Sequence, residues 1–132
     1  MKIFYWSPFI SYVATTFSVI NSIIAIKKFS KEKLNLSLIN VASEWDDFKD
    51  EIDKENINVI ELKKKKISFK NLPKGNFLKS RITYFIIFFS TIIDLHKKIK
   101  KEKPEYLVVH LLSFIPLFLL MIFNYKTKFI LR

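Results

Sequence analysis

Five short apolar runs, separated by segments long enough to form helices or loops, constrain this chain more than any other feature. They are Lys2–Trp6, Leu34–Val41, Asn58–Leu62, Tyr106–His110 and Lys128–Leu131. Each reads as a strand. Between the first two, Val13, Phe17, Ile20 and Ile24 fall at helical spacing, predicting a helix over about Thr15–Lys28. The acidic segment Glu44–Glu55 holds a short helix. A polar turn at Pro73-Lys74-Gly75-Asn76 precedes a long helix, Phe77–Lys101. Lys97, Lys98, Lys100 and Lys101 crowd its C-terminal end, where positive charge suits the helix dipole, and Pro104 stops it. A last helix spans about Leu112–Asn124, with Pro116 in its first turn, where proline is tolerated. Strands alternating with helices predict βαβ units. The fold class is α/β: one Rossmann-like parallel sheet over residues 1–132, with helices on both faces. Strands buried on both sides account for runs that are continuously apolar rather than alternating.

Composition narrows the chemistry. The 132 residues suit one domain, and a hydrophobic content of 50% is enough to build a core. There is no Cys, so disulfides and thiolate zinc sites are excluded, and a reducing cytoplasm suits the chain. Two His residues far apart in sequence argue against a His-built metal site. With one Gly, at position 75 in a turn, neither a dinucleotide-binding fingerprint nor a P-loop can be present. No cofactor is expected. The net charge of +11 points to an anionic partner. Lys, Ile, Phe and Asn also share A/T-rich codons, so genome composition is the rival source of that charge.

Three uncharged stretches bear on membranes. Ile3–Ile26 is long enough for an anchor, but seven Ser, Thr and Asn residues dilute it and Pro8 interrupts it. Ile82–Ile93 is too short to span a bilayer. Tyr106–Phe123 reaches eighteen residues without a formal charge, but contains His110, Ser113 and Pro116. A strand followed by an apolar helix describes it better than a span. Helices this apolar can also lie on a membrane surface.

Four segments resemble the N-terminal, acceptor-side domain of GT-B glycosyltransferases of the family four type. Met1-Lys2-Ile3-Phe4-Tyr5-Trp6-Ser7-Pro8 is similar to its opening strand and loop, and Val13–Ile26 to the helix that follows. Glu44-Trp45-Asp46-Asp47 resembles a loop after strand two. Lys103-Pro104-Glu105-Tyr106-Leu107-Val108-Val109-His110 resembles the family's Lys-Pro-Asp, apolar pair and His strand. The chain departs from the family in three places. The loop after strand one has no Gly, Leu112 stands where a second His often occurs, and there is no donor-binding domain with paired glutamates. The resemblance implies a fragment of a longer enzyme. That enzyme would transfer sugar from a nucleotide-sugar donor to a glycan or lipid-linked acceptor, in cell-envelope polysaccharide synthesis. It would be cytoplasmic and peripheral at the inner face of the membrane.

Candidate site residues follow from the carboxyl edge of the sheet, where parallel α/β proteins bind ligands. Ser7, Ser11 and Thr15 either hold a phosphate or sugar near a helix N-terminus or cap that helix. Glu44, Asp46 and Asp47 either accept hydrogen bonds from sugar hydroxyls or form a solvated acidic face. Trp45 either stacks on a sugar or packs. The resemblance makes His110 the expected catalytic residue, as acceptor contact or proton shuttle; otherwise it is a satisfied core histidine. Lys63, Lys64, Lys65, Lys66, Lys97 and Lys98 either attract an anionic membrane surface or form solvated faces. No nucleic-acid motif is visible. The alternative functions are a small basic membrane protein with hydrophobic helices and no catalysis, and a sugar-binding remnant.

Overall fold

The computed structural model describes residues 1–7, 14–41, 43–62, 72, 75–110, 122–123 and 126–132. The strands are β1 (Lys2–Trp6), β2 (Asn35–Asn40), β3 (Asn58–Glu61), β4 (Tyr106–Val109) and β5 (Lys128–Leu131). The helices are α1 (Ala14–Phe29), α2 (Lys49–Lys54, entered through a 3₁₀ turn at Asp46–Phe48) and α3 (Phe77–Glu102). All four strand pairings are parallel, in the order β3-β2-β1-β4-β5. The fold is the Rossmann-like α/β sheet expected from the alternation. The expected helix over Leu112–Asn124 and the Lys63–Lys66 run lie outside the described residues, apart from positions 122 and 123.

β1 is central because both its neighbours need it. Tyr5 lies beside Leu38 of β2 and Val108 of β4. Alternation along the strands then divides the core. Phe4, Trp6, Ile39, Leu107 and Val109 face α3, meeting its Ile87, Phe88, Leu95 and Ile99. Ile3, Tyr5, Leu36, Leu38 and Val108 face the other way, against Val19, Ile20 and Ile23 of α1 and Phe48 and Ile52 near α2.

The packed stripe of α1 differs from the one its spacing suggests. Thr16, Val19, Ile20 and Ile23 are buried, whereas Phe17 is 56% exposed. The stripe is turned by about one residue. Short and β-branched side chains let the helix lie close on the sheet, where a phenylalanine would hold it off. Phe17 instead meets Phe48 edge-on at 5.4 Å. α3 ends where Pro104 requires. Lys103 takes the left-handed conformation (φ 47°), and its N–H donates to the Ile99 carbonyl at 2.8 Å.

Leu38 sits on the central face with no exposure. Leu38→Ala should lower unfolding free energy by about 2–5 kcal/mol. Ile130→Ala, on the exposed edge strand, should cost well under half of that. Urea denaturation of both variants checks the contrast.

Candidate functional site

The strand order places a topological switch point between β1 and β4. From β1 the chain winds outward to β2 and β3, then returns to β4 on the other side. In parallel α/β sheets the carboxyl ends of the strands at such a point are where ligands are ordinarily bound. Trp6 and Ser7 end one strand, and Val109 and His110 end the other. The His110 N–H donates to the Trp6 carbonyl at 3.1 Å, so the two ends are in direct contact.

Among the described residues, several buried polar atoms near this edge have no hydrogen-bond partner. They are His110 Nε2, the Trp6 indole Nε1 and Thr16 Oγ1. Buried polar groups are ordinarily paired, so each needs explanation. Thr16 is the third residue of α1, whose N-terminus follows the β1 loop. Val108 faces α1 and Val109 faces α3, so alternation turns His110 to the α1 side. Arg132, just past β5, donates through Nη1 to Ser22 Oγ of α1 at 2.9 Å. Burial, reinforced by the Arg132 charge, holds the imidazole of His110 below its ordinary pKa. It is therefore neutral near pH 7 and can accept a proton or donate a hydrogen bond.

A second polar group lies on the same edge of the sheet, on the other side of β1, at the ends of β2 and β3. Asn40 is buried, and its Nδ2 donates to Asp46 Oδ1 at 3.1 Å and to Glu61 Oε1 at 3.0 Å. These two acceptors fix the amide orientation, since a flip would set oxygen against two carboxylates. Asn40 Oδ1 is left buried without a partner. Beside it opens a cavity of about 370 Å³, lined by Asn40, Trp45, Asp46, Lys49, Asp53 and Glu61 among others. A larger cavity of about 550 Å³ lies at the opposite edge, among Met1, Lys2, Asn35 and Asn58, where the strands begin. The carboxyl edge is the functional one in parallel sheets, so the smaller cavity belongs with the candidate site.

The expected residues separate under this geometry. His110 and buried Ser7 stand at the switch point, and Asp46 lines the polar cavity. Asp47 is exposed outside that lining. Glu44 turns inward. It is fully buried, and both its carboxylate oxygens accept from the Val41 N–H at 3.1 Å. The left-handed Ser43 (φ 62°) makes this reversal possible. Trp45 packs rather than presenting a stacking face: it is 2% exposed, and its indole donates to the Ile39 carbonyl at 3.2 Å. Lys97 is exposed and Lys98 pairs with Glu102 at 3.3 Å, both at the far end of α3. Ser11 and the side chain of Thr15 lie outside the description.

Sequence reasoning missed Thr16, Asn40, Glu61 and Arg132. Asn40 carried a readable signal, a polar residue closing an apolar strand. The other three depend on which elements become neighbours. Among the described residues, no group of three His, Asp or Glu could hold a metal ion. No family model matches the chain, and neither a curated protein nor a solved structure matches it.

Two outcomes are expected. Glu44→Ala strands the Val41 N–H and should destabilise by about 1–3 kcal/mol in chemical denaturation. His110 is depressed in the folded state, so the unfolded chain takes up its proton first as pH falls. Its contribution to stability is therefore full above about pH 6.5 and drains away below it. Denaturation midpoints should fall between pH 7.5 and 5.5, and His110→Asn should flatten that slope.

Proposed function

We propose that the chain is the acceptor-side half of a glycosyltransferase, transferring sugar from a nucleotide-sugar donor to a glycan or lipid-linked acceptor. The observation that carries this reading is His110, placed at the β1/β4 switch point with its Nε2 buried and unpartnered. The Lys103–His110 segment that delivers it is the one most similar to the glycosyltransferase strand. A neutral imidazole there suits contact with an acceptor hydroxyl and transfer of its proton. Ser7 lies on the same edge. Asn40 Oδ1 and the carboxylates of Asp46 and Glu61 offer hydrogen-bond acceptors of the kind sugar hydroxyls satisfy. The nucleotide sugar would be held by a second domain, and closure of the two would complete the site. The enzyme would work at the cytoplasmic face of the membrane. Among the described residues, no helix is long and apolar enough to cross a bilayer.

Ligand-observed NMR tests this on the chain itself, with octyl glycosides of glucose, galactose and N-acetylglucosamine as probes. At least one should show saturation transfer. His110→Ala should weaken its binding by about tenfold, the loss expected for one buried hydrogen bond, while the amide spectrum remains folded. No transfer from any glycoside, or binding indifferent to His110→Ala, would overturn the reading.

A further inference from the structure

α3 is buried along one face and apolar along the opposite one as well. Its inward residues are Thr83, Ile87, Phe88, Thr91, Leu95 and Ile99. Facing away are Leu78 (73% exposed), Ile82, Phe85, Ile86, Phe89 (63%) and Ile93 (62%). At about 100° per residue these six fall within an arc of roughly 100°, almost diametrically opposite the buried set. The stripe is about 22 Å long at 1.5 Å per residue. Phe85 and Phe89 stack on each other within it, their rings 6.2 Å apart, instead of folding back onto the core. Isolated exposed apolar residues are ordinary. A continuous stripe of six marks a surface that meets something apolar.

The charges on the same helix say what. No Asp or Glu occurs from Phe77 to Ile93, while Lys79 and Arg81 lie at one end of the stripe. Lys97, Lys98, Lys100 and Lys101 lie at the other. The helix has two acidic residues, Asp94 and Glu102. Glu102 is already engaged by Lys2 at 2.8 Å and Lys98 at 3.3 Å. A second copy laid on this face would meet like charge in either direction. Side by side it sets the C-terminal lysines against their equivalents, and head to tail it sets Lys79 and Arg81 against them. An anionic lipid surface satisfies both features at once, taking the apolar stripe into the acyl boundary and the cations at the headgroups. The buried face fixes α3 to the sheet, so the helix lies along the interface rather than entering it end-on.

We propose that the outward face of α3, centred on Phe85 and Phe89, is the element by which this protein docks onto an anionic membrane surface. This rests on the membrane-face placement proposed above and gives it an element, while using none of the residues at the switch point.

The test is co-sedimentation of the chain with sucrose-loaded vesicles, either pure phosphatidylcholine or phosphatidylcholine with about 30% phosphatidylglycerol to supply a negative surface potential. Binding is expected to the anionic vesicles and to be much weaker to the neutral ones. Phe85→Ser with Phe89→Ser should lower partitioning by at least about tenfold, because both are exposed and their loss removes apolar insertion. Lys97→Gln with Lys101→Gln should lower it by about fivefold per lysine. The chain has no Cys, so Phe89→Cys carries a single environment-sensitive fluorophore. Its emission should shift to the blue on anionic vesicles, whereas a label at Asp50→Cys on α2 should not respond. Three results would overturn the proposal. They are no binding to anionic vesicles, binding that ignores the phenylalanine pair, and a dimer in sedimentation velocity that Phe89→Ser dissociates. The glycoside experiment on His110 can fail while this one succeeds, and the reverse, so the two readings fall separately.

Discussion

Everything in this molecule is hung on the two edges of β1. Its hydrogen bonds to β2 on one side and β4 on the other are what make a sheet of three separate sequence regions. Its alternating side chains supply both cores. Phe4 and Trp6 go to α3, and Ile3 and Tyr5 go to α1. A strand used this way must be apolar on both faces, so Lys2–Trp6 has no polar residue between its ends. The candidate site is a by-product of the same arrangement. The strand order reverses beside β1, which sets the carboxyl ends of β1 and β4 side by side, joined by the His110 N–H to Trp6 carbonyl bond.

The site is unusual in how little glycine it uses. The chain's single Gly is at position 75, remote from the switch point in sequence. Among the described residues, ordinary side chains take the left-handed conformation instead: Ser43 at the carboxyl edge, and Asn56 and Lys103 at the opposite edge, just before β3 and β4. Such residues carry a conformational cost that surrounding contacts must hold in place. At Ser43 the contact is visible: the next residue, Glu44, closes both carboxylate oxygens onto Val41. The acidic loop is thus braced from within, and Asp46 reaches Asn40 from a fixed frame.

The order of the described elements, the strand limits and the end of α3 were legible in the sequence because each depends on local pattern. Apolar runs mark strands, and Pro104 sets a boundary wherever it occurs. The site was legible only in part. His110 announced itself as a polar residue closing an apolar strand in a segment similar to a known one. Glu44 did not reveal that it would turn inward, because carboxylates in an acidic segment look alike until the backbone chooses one to bury. The inward stripe of α1 also escaped: two apolar stripes one residue apart fit the same helix, and contact with Ile3, Tyr5 and Leu38 decides between them. Exposure on α3 was hidden for a similar reason. A helix apolar all round reads as buried, and only the packed structure shows which side, from Leu78 to Ile93, stays exposed.

The contact between Lys2 and the end of α3 bears on how the chain is made. The Lys2 ammonium bonds the Glu102 carboxylate and carbonyl, and the Lys2 N–H bonds Glu105, partners 100 and 103 positions away. During synthesis β1 finds β2 early, but its second edge and the α3-facing side of Phe4 and Trp6 must wait for residues past 100. At 5–20 residues per second that delay is roughly 5–20 s. For that interval the nascent chain carries an open, apolar strand edge, the form most prone to pairing with the wrong partner. A chaperone or an early-captured surface would have its strongest effect on yield in this window, before the strand that completes the sheet has left the ribosome.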